Sequence, residues 1–127
     1  MKYNKVNSKI IGELSGILGE DYVMYDPITL NEYGKDHTEN LVFPPEVLVK
    51  PSSTDQVARI LFLAQNENIP VTAIGARTGL SGGCLSVHGG IGISMERFNK
   101  IIHIDCDNMQ VVVCLLYTSD AADERHC

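Results

Sequence analysis

The chain has 127 residues, 44% of them hydrophobic and 20% charged, which is the balance of an ordinary globular protein. This length suffices for one modest domain and is too short for most multi-step enzymes. The net charge of −6, with ten dispersed Lys and Arg residues, argues against a nucleic-acid surface, which would need a basic face.

Targeting and metal-binding signals are missing from the sequence. No apolar run reaches the roughly 18 residues that a membrane span requires, and no apolar segment follows the charged N-terminus as in a secretory signal. Four cysteines occur without a CxxC pair and without metal-like spacing to the histidines: Cys84, Cys106, Cys114 and Cys127. We interpret them as free thiols in a reducing cytoplasm.

The first predicted elements are two helices within residues 1–40, a helical lead-in. Apolar residues at helical spacing predict a helix over 6–18 that ends at Gly19. Pro27 can begin a short second helix and Gly34 can end it.

A strand, a capped helix and a second strand come next. The β-branched stretch EVLVK (46–50), bounded by prolines, predicts a strand. Ser53 and Gln56 form a capping-box pattern ahead of an apolar helical face, and VTAI (71–74) predicts the following strand. Such a βαβ unit predicts parallel strands with a right-handed crossover.

Three short strands are predicted after a glycine-rich segment, IGARTGLSGG (74–83). They are GIGISM (90–95), IIHID (101–105) and QVVV (110–113). Three consecutive strands do not continue the strand–helix alternation. We therefore predict an α+β fold whose pattern changes at the glycine-rich segment.

The glycine-rich segment predicts a loop that a ligand approaches closely, because glycines let backbone N–H groups converge on an anion. It lacks the lysine of a Walker A loop. Its glycines also lack the GxGxxG spacing of a dinucleotide fingerprint and lead into a strand instead of a helix. A flexible hairpin connection is the alternative.

The loop and both its flanks resemble a known family. IGARTGLSGG, with KPSSTDQV before it and VHGGIGISMERFNKIIHID after it, resembles the PCMH-type FAD-binding domain of the vanillyl-alcohol oxidase superfamily. The similarity spans residues 33–113 and is greatest to the FAD-linked D-2-hydroxyacid dehydrogenases. It implies that residues 41–113 are the first part of such a domain. Two residues depart from the pattern: Ala73 replaces a common proline, and Arg77 replaces a common glycine or asparagine.

In that family the loop wraps the FAD pyrophosphate. The resemblance implies that backbone N–H groups and the hydroxyls of Thr78 and Ser81 meet the phosphates, with a guanidinium nearby. The cofactor-binding residues that it implies are consecutive: Gly75, Ala76, Arg77, Thr78, Gly79, Leu80, Ser81, Gly82 and Gly83.

The resemblance implies the N-terminal part of an oxidoreductase. Such an enzyme oxidises a D-2-hydroxy acid, similar to lactate, glycolate or 2-hydroxyglutarate, to its 2-oxo acid by hydride transfer to FAD. Catalytic and substrate-binding residues are expected beyond Val113, so none is named, and the electron acceptor and any association with a membrane surface stay open. We expect weak FAD binding, or none, from these residues alone. The alternatives are a small non-catalytic domain that binds a nucleotide or partner, and another flavoenzyme of the same superfamily.

We assign no role in catalysis or cofactor binding to the other residues near the loop. His88 and His103 are read as surface or packing residues, and Cys84 as a small residue after the loop instead of a flavin attachment point. Asp36 matches a family position to which no role is assigned. Three apolar residues are predicted in the core: Met95, Phe98 and Ile101.

The end of the chain differs in character from the rest. Its stretch CLLYTSDAADE (114–124) resembles one reading frame of a sequencing adapter over eleven consecutive residues. We interpret residues 114–127 as non-native and expect the native part to continue beyond Val113 in a longer protein. A genuine amphipathic segment is the alternative.

Overall fold

The computed structural model describes residues 2–38 and 40–113, so the predicted non-native segment 114–127 lies outside the described residues. Helices and strands alternate as far as β3, and three further strands follow, which confirms the predicted α+β class. The elements in chain order are α1 (Ser8–Leu18), β1 (Val23–Met24), α2 (Pro27–Glu32), β2 (Val47–Val49), α3 (Thr54–Asn66), β3 (Val71–Ile74), β4 (Ile91–Ser94), β5 (Ile101–Asp105) and β6 (Gln110–Val113).

The helices begin at polar caps that satisfy backbone donors of the first turn. The Asn7 side chain accepts from the N–H of Ile10 at 3.0 Å, and Gly19 ends α1 with φ of 92°. At α3, Ser53 Oγ accepts from the N–H of Gln56 at 3.2 Å. The Gln56 side chain accepts from the N–H of Ser52, one residue earlier than a standard capping box requires.

Four strands form one sheet in the order β1-β2-β4-β3. Strands β2 and β3 both pair with β4 in parallel, and β1 pairs antiparallel with β2. The predicted parallel relation of β2 and β3 is therefore confirmed, but they are not neighbours, because β4 lies between them. All four residues of β4 are buried, as expected of a central parallel strand covered on both faces. The two-residue strand β1 was not predicted, because so short a segment carries no periodic pattern.

One face of the sheet carries the larger core. Helices α1 and α3 pack there through Leu14 and Ile60, both with no exposed surface. The lead-in thus shares its core with the rest of the chain. A smaller cluster covers the opposite face, where Leu48 and Ile74 pack with two residues that follow the glycine loop, Cys84 and Leu85.

Strands β5 and β6 form a separate antiparallel hairpin. Met95 and Phe98, just before it, are buried as predicted. The prediction that Ile101 belongs to the core is wrong, because its side chain on β5 is 64% exposed. The β5–β6 hairpin pairs with neither edge of the main sheet, so the periodic pattern that predicted its strands does not predict their burial.

Candidate functional site

The candidate site lies at the carboxyl edge of the parallel sheet. Lys50 follows β2, the glycine loop (75–83) follows β3, and Glu96 follows β4. Since the three strands are parallel, these segments leave the sheet at one edge. Open parallel sheets bind ligands outside the carboxyl ends of their strands, so the fold itself favours this position.

The glycine loop surrounds a cavity of about 460 Å³. Of the nine loop residues predicted to bind the cofactor, six line the cavity: Ala76, Thr78, Gly79, Leu80, Ser81 and Gly83. Gly75, Arg77 and Gly82 are not among the lining residues. A Cβ atom added at Gly83 would meet no atom within 4 Å, so the missing side chain leaves open space there.

The loop offers a run of unused backbone donors. Within the described parts of the chain, no N–H group of residues 76–81 donates a hydrogen bond to another protein group. Backbone donors around a concave surface suit an anion, and the hydroxyls of Thr78 and Ser81 line the same cavity. The loop therefore fits a phosphate group.

A short segment after α2 supports the loop from behind. The N–H of His37 donates to the carbonyl oxygen of Gly79 at 3.0 Å. Asp36 lines the cavity, and its Oδ1 accepts from the N–H of Thr38 at 2.7 Å. Burial acts to raise the pKa of Asp36, but hydrogen bonds from Thr38 and from the Gly82 backbone act together to hold the pKa below its ordinary value.

The other carboxylate oxygen of Asp36 is buried and makes no close hydrogen bond within the described residues, although the Gly82 N–H lies near enough to help lower the pKa of this carboxyl. An ionised carboxylate only accepts hydrogen bonds and repels phosphate, so this oxygen suits a hydroxyl or N–H donor of a ligand. Sequence reasoning assigned no role to Asp36. Its contact with the loop spans more than 40 residues of chain and follows from tertiary structure alone.

Arg77 differs from the other loop residues in both its backbone and its side chain. Its φ of 60° is in the left-handed region, which costs a residue with a Cβ about 1–2 kcal/mol. This conformation favours glycine or asparagine, the residues that the resemblance implies at this position. The guanidinium, expected near the phosphates, donates to the Glu32 carbonyl oxygen at 2.8 Å and lies 4.5 Å from the Tyr33 ring centre.

A polar cluster joins the strand ends beneath the loop, and Glu96 is its centre. Glu96 Oε1 accepts from the Tyr33 hydroxyl at 2.7 Å and from Ser94 Oγ at 2.9 Å, and it pairs with Lys50 Nζ at 3.0 Å. Burial acts to raise the pKa of Glu96, but the hydrogen bonds from Tyr33, Lys50 and Ser94 lower it below its ordinary value. Burial and the Glu96 contact raise the pKa of Tyr33.

We expect Glu96 to make the folded state sensitive to acid. Because its pKa is lower in the folded state, its stabilising contribution is present above the ordinary value of 4.5 and is lost as the pH falls through the folded pKa. The Glu96→Gln variant should be less stable than wild type at pH 7 and should lose less stability between pH 5 and 3, roughly the range of this titration. Urea unfolding at several pH values measures both effects.

The control for that experiment is Glu13→Gln, which replaces an exposed glutamate of α1. It should keep the acid sensitivity of wild type. Equal acid sensitivity in Glu96→Gln and wild type would show that the polar cluster does not couple folding to this titration.

The two histidines considered in the sequence analysis lie outside the cavity, and the cysteine that lines it is a weak nucleophile. His88 and His103 are exposed, in agreement with their surface interpretation, and the His88 ring lies 5.4 Å from that of Tyr3. Cys84 lines the cavity, but burial, followed by the charge of Asp36, raises the pKa of its thiol. A raised pKa makes the thiol a weak nucleophile.

Comparisons with known proteins identify the family of the chain. A profile of the FAD binding domain family matches residues 45–114. D-lactate dehydrogenase from Anaerostipes hadrus is 39% identical over 115 residues, which cover 88% of this chain and 24% of the relative. D-2-hydroxyglutarate dehydrogenase from Stutzerimonas stutzeri is 31% identical over 96 residues, covering 76% of this chain and 21% of the relative.

Among solved structures, 4-ethylphenol oxidase from Gulosibacter chungangensis matches with a TM-score of 0.71 and 25% identity, over 89% of this chain and 23% of that one. The chain spans about a quarter of the length of these proteins. No helix in the described residues is both long and apolar enough to cross a membrane. The family match covers more than half of the chain and includes the whole glycine loop, so the chain belongs to the FAD-binding domain family, of the PCMH type.

Proposed function

We propose that this chain supplies the pyrophosphate-binding part of an FAD site. The observation that supports the proposal most directly is the run of unused N–H donors over residues 76–81, which surrounds a cavity at the carboxyl edge of a parallel sheet. Several such donors can share the two charges of a pyrophosphate, and each charge-assisted hydrogen bond contributes about 1.5–3 kcal/mol.

The predicted binding residues divide into three roles in this proposal. The backbone of Gly75, Ala76, Arg77, Thr78 and Gly79 forms the cradle, and Leu80, Gly82 and Gly83 continue along the cofactor. The hydroxyls of Thr78 and Ser81 donate to phosphate oxygens. Asp36 accepts a hydrogen bond from a hydroxyl or N–H group of the cofactor through its second carboxylate oxygen. The negative charge of this carboxylate also keeps the phosphate groups at the loop.

In a whole protein that contains this domain, we propose the oxidation of a D-2-hydroxy acid to its 2-oxo acid. When bound, FAD accepts a hydride from the substrate. The names of the relatives, a D-lactate dehydrogenase and a D-2-hydroxyglutarate dehydrogenase, support this substrate class. Residues that bind and deprotonate the substrate then belong to other parts of that protein, and the electrons pass to an acceptor outside this chain.

A phenol oxidation is the second candidate, since 4-ethylphenol oxidase shares the fold over 89% of this chain. The first step of the test is to sequence independently prepared source DNA across codons 110–127 and express the longest open frame. Stoichiometric flavin with oxidation of D-lactate, D-2-hydroxyglutarate or glycolate, and not of L-lactate, is the expected result. Oxidation of 4-ethylphenol alone would replace the substrate class, and absence of flavin would contradict the proposal.

We expect Gly79→Val in that protein to weaken FAD binding by at least about tenfold, or 1.4 kcal/mol. Gly79 lines the cavity, its φ is not positive, and an added Cβ would lie 3.9 Å from Asp36 Oδ2, so a valine side chain would occupy ligand space beside Asp36. Flavin release measured by fluorescence gives the affinity. The matched control is Gly16→Val on α1, where nothing lies within 4 Å of an added Cβ. Equal affinity in the two variants would exclude the loop from the cofactor site.

A further inference from the structure

We propose that Arg77 is a positioning residue, whose side chain fixes the shape of the glycine loop before any ligand binds. This inference rests on the proposed function of the loop in binding pyrophosphate. The contacts of the Arg77 side chain with Glu32 and Tyr33 are called the Arg77 anchor below.

The Arg77 anchor combines three contacts at the end of α2. Nη1 of Arg77 donates to the main-chain oxygen of Glu32 at 2.8 Å and lies 3.4 Å from its carboxylate. The final carbonyl groups of a helix lack partners within the helix, so a cation at this end of α2 satisfies one of them. The guanidinium also lies over the Tyr33 ring, 4.5 Å from its centre, and the Arg77 side chain is only 28% exposed.

Tyr33 connects the anchor to the sheet. Its hydroxyl donates to Glu96 at 2.7 Å, and Glu96 pairs in turn with Lys50 after β2. Tyr33 also packs beside the smaller core cluster. The surface that receives the guanidinium is therefore tied to the folded sheet through Glu96, and its position does not depend on a ligand at the loop.

The Arg77 anchor explains how Arg77, a residue with a Cβ atom, holds a left-handed backbone conformation. Neighbouring loop residues lack hydrogen bonds from their own N–H groups within the described chain, so few other contacts define their conformation. A guanidinium held on α2 determines where the Arg77 backbone lies, and with it the direction of the adjacent N–H groups. The charge of Arg77 is already opposed by Glu32, so its contribution to phosphate binding is through the backbone of the loop.

The test measures backbone order in the ligand-free 127-residue chain by 15N relaxation. Wild type should show order parameters of about 0.8 or more over residues 76–81, near the value of rigid backbone. Arg77→Asn tolerates the left-handed region but cannot reach Glu32, and Arg77→Lys keeps the charge without the planar group. Both variants should fall below about 0.6 in the loop, with unchanged amide spectra for β2 and β4. The control, Arg59→Asn, removes an exposed arginine of α3 and should match wild type.

Loop order equal to wild type in either Arg77 variant would overturn the proposal. In the longer protein, Arg77→Asn should also weaken FAD binding, whereas weaker binding with an unchanged loop would make Arg77 a direct phosphate ligand and contradict the positioning role. Wild-type protein that binds no FAD would overturn the proposed function only. The relaxation measurement needs no ligand, so it would still decide whether the anchor orders the loop.

Discussion

Replacing Gly90 with alanine is expected to destabilise the chain by about 3 kcal/mol or more, enough to unfold a large fraction of a marginally stable domain. Gly90 precedes β4 and has φ of 74°, a conformation that is strained for any residue with a Cβ. The added methyl group would overlap the carbonyl oxygen of Pro70 and would lie 2.7 Å from Pro70 Cγ. That same oxygen accepts from the N–H of Ile91 at 2.9 Å, so the backbone cannot move aside without losing this hydrogen bond.

Urea unfolding followed by circular dichroism measures this effect. The matched control is Gly12→Ala on α1, where an added Cβ meets nothing within 4 Å and alanine favours the helix by up to about 1 kcal/mol. The two substitutions add the same methyl group and should change stability in opposite directions. A Gly90→Ala chain as stable as wild type would show that the close contact between β4 and Pro70 is not formed.

Truncating Ile91 to alanine is expected to cost about 2–5 kcal/mol. Its side chain has no exposed surface, and it lies in the central strand opposite Val47 of β2 and Val71 of β3. The strands on both sides are held in place by the hydrogen bonds of the parallel sheet. They therefore cannot move inward to fill the cavity that the truncation leaves. The midpoint of urea unfolding should fall with little change in the slope of the transition.

Ile101→Ala provides the comparison, because it removes the same atoms from a strand residue that is 64% exposed. We expect a change within about 0.5 kcal/mol, which is typical of surface substitutions. A large loss of stability at Ile101 would mean that the β5–β6 hairpin packs against a surface that is not seen in the described chain. A small loss at Ile91 would contradict the central position of β4.

Local sequence patterns predicted most elements but not their arrangement. The apolar spacing before Gly19 and the side-chain cap at Ser53 act within a few residues, so α1 and α3 could be predicted from the sequence. The position of β4 between β2 and β3 could not, because strand order depends on contacts between distant residues. Burial of Ile101 was wrongly predicted for the same reason, since alternation identifies a strand but not what covers it.

In the candidate site, too, local features could be predicted from the sequence and long-range contacts could not. The glycine loop was identified from its sequence, since its resemblance to a family extends over both flanks. Asp36 and Tyr33 could not be assigned roles, because both reach the site through long-range contacts. The direction of the Arg77 guanidinium depends on where α2 ends in space, which no local pattern encodes.

The order of the strands also has a consequence for synthesis on the ribosome. The central strand β4 is the last of the four to emerge, so β2 and β3 leave the exit tunnel with no parallel partner between them. Until residues 91–94 are available, the nascent chain exposes two unpaired strand edges, which can pair with other chains. The glycine loop is made just before β4, so it leaves the ribosome while the sheet beside it is still incomplete.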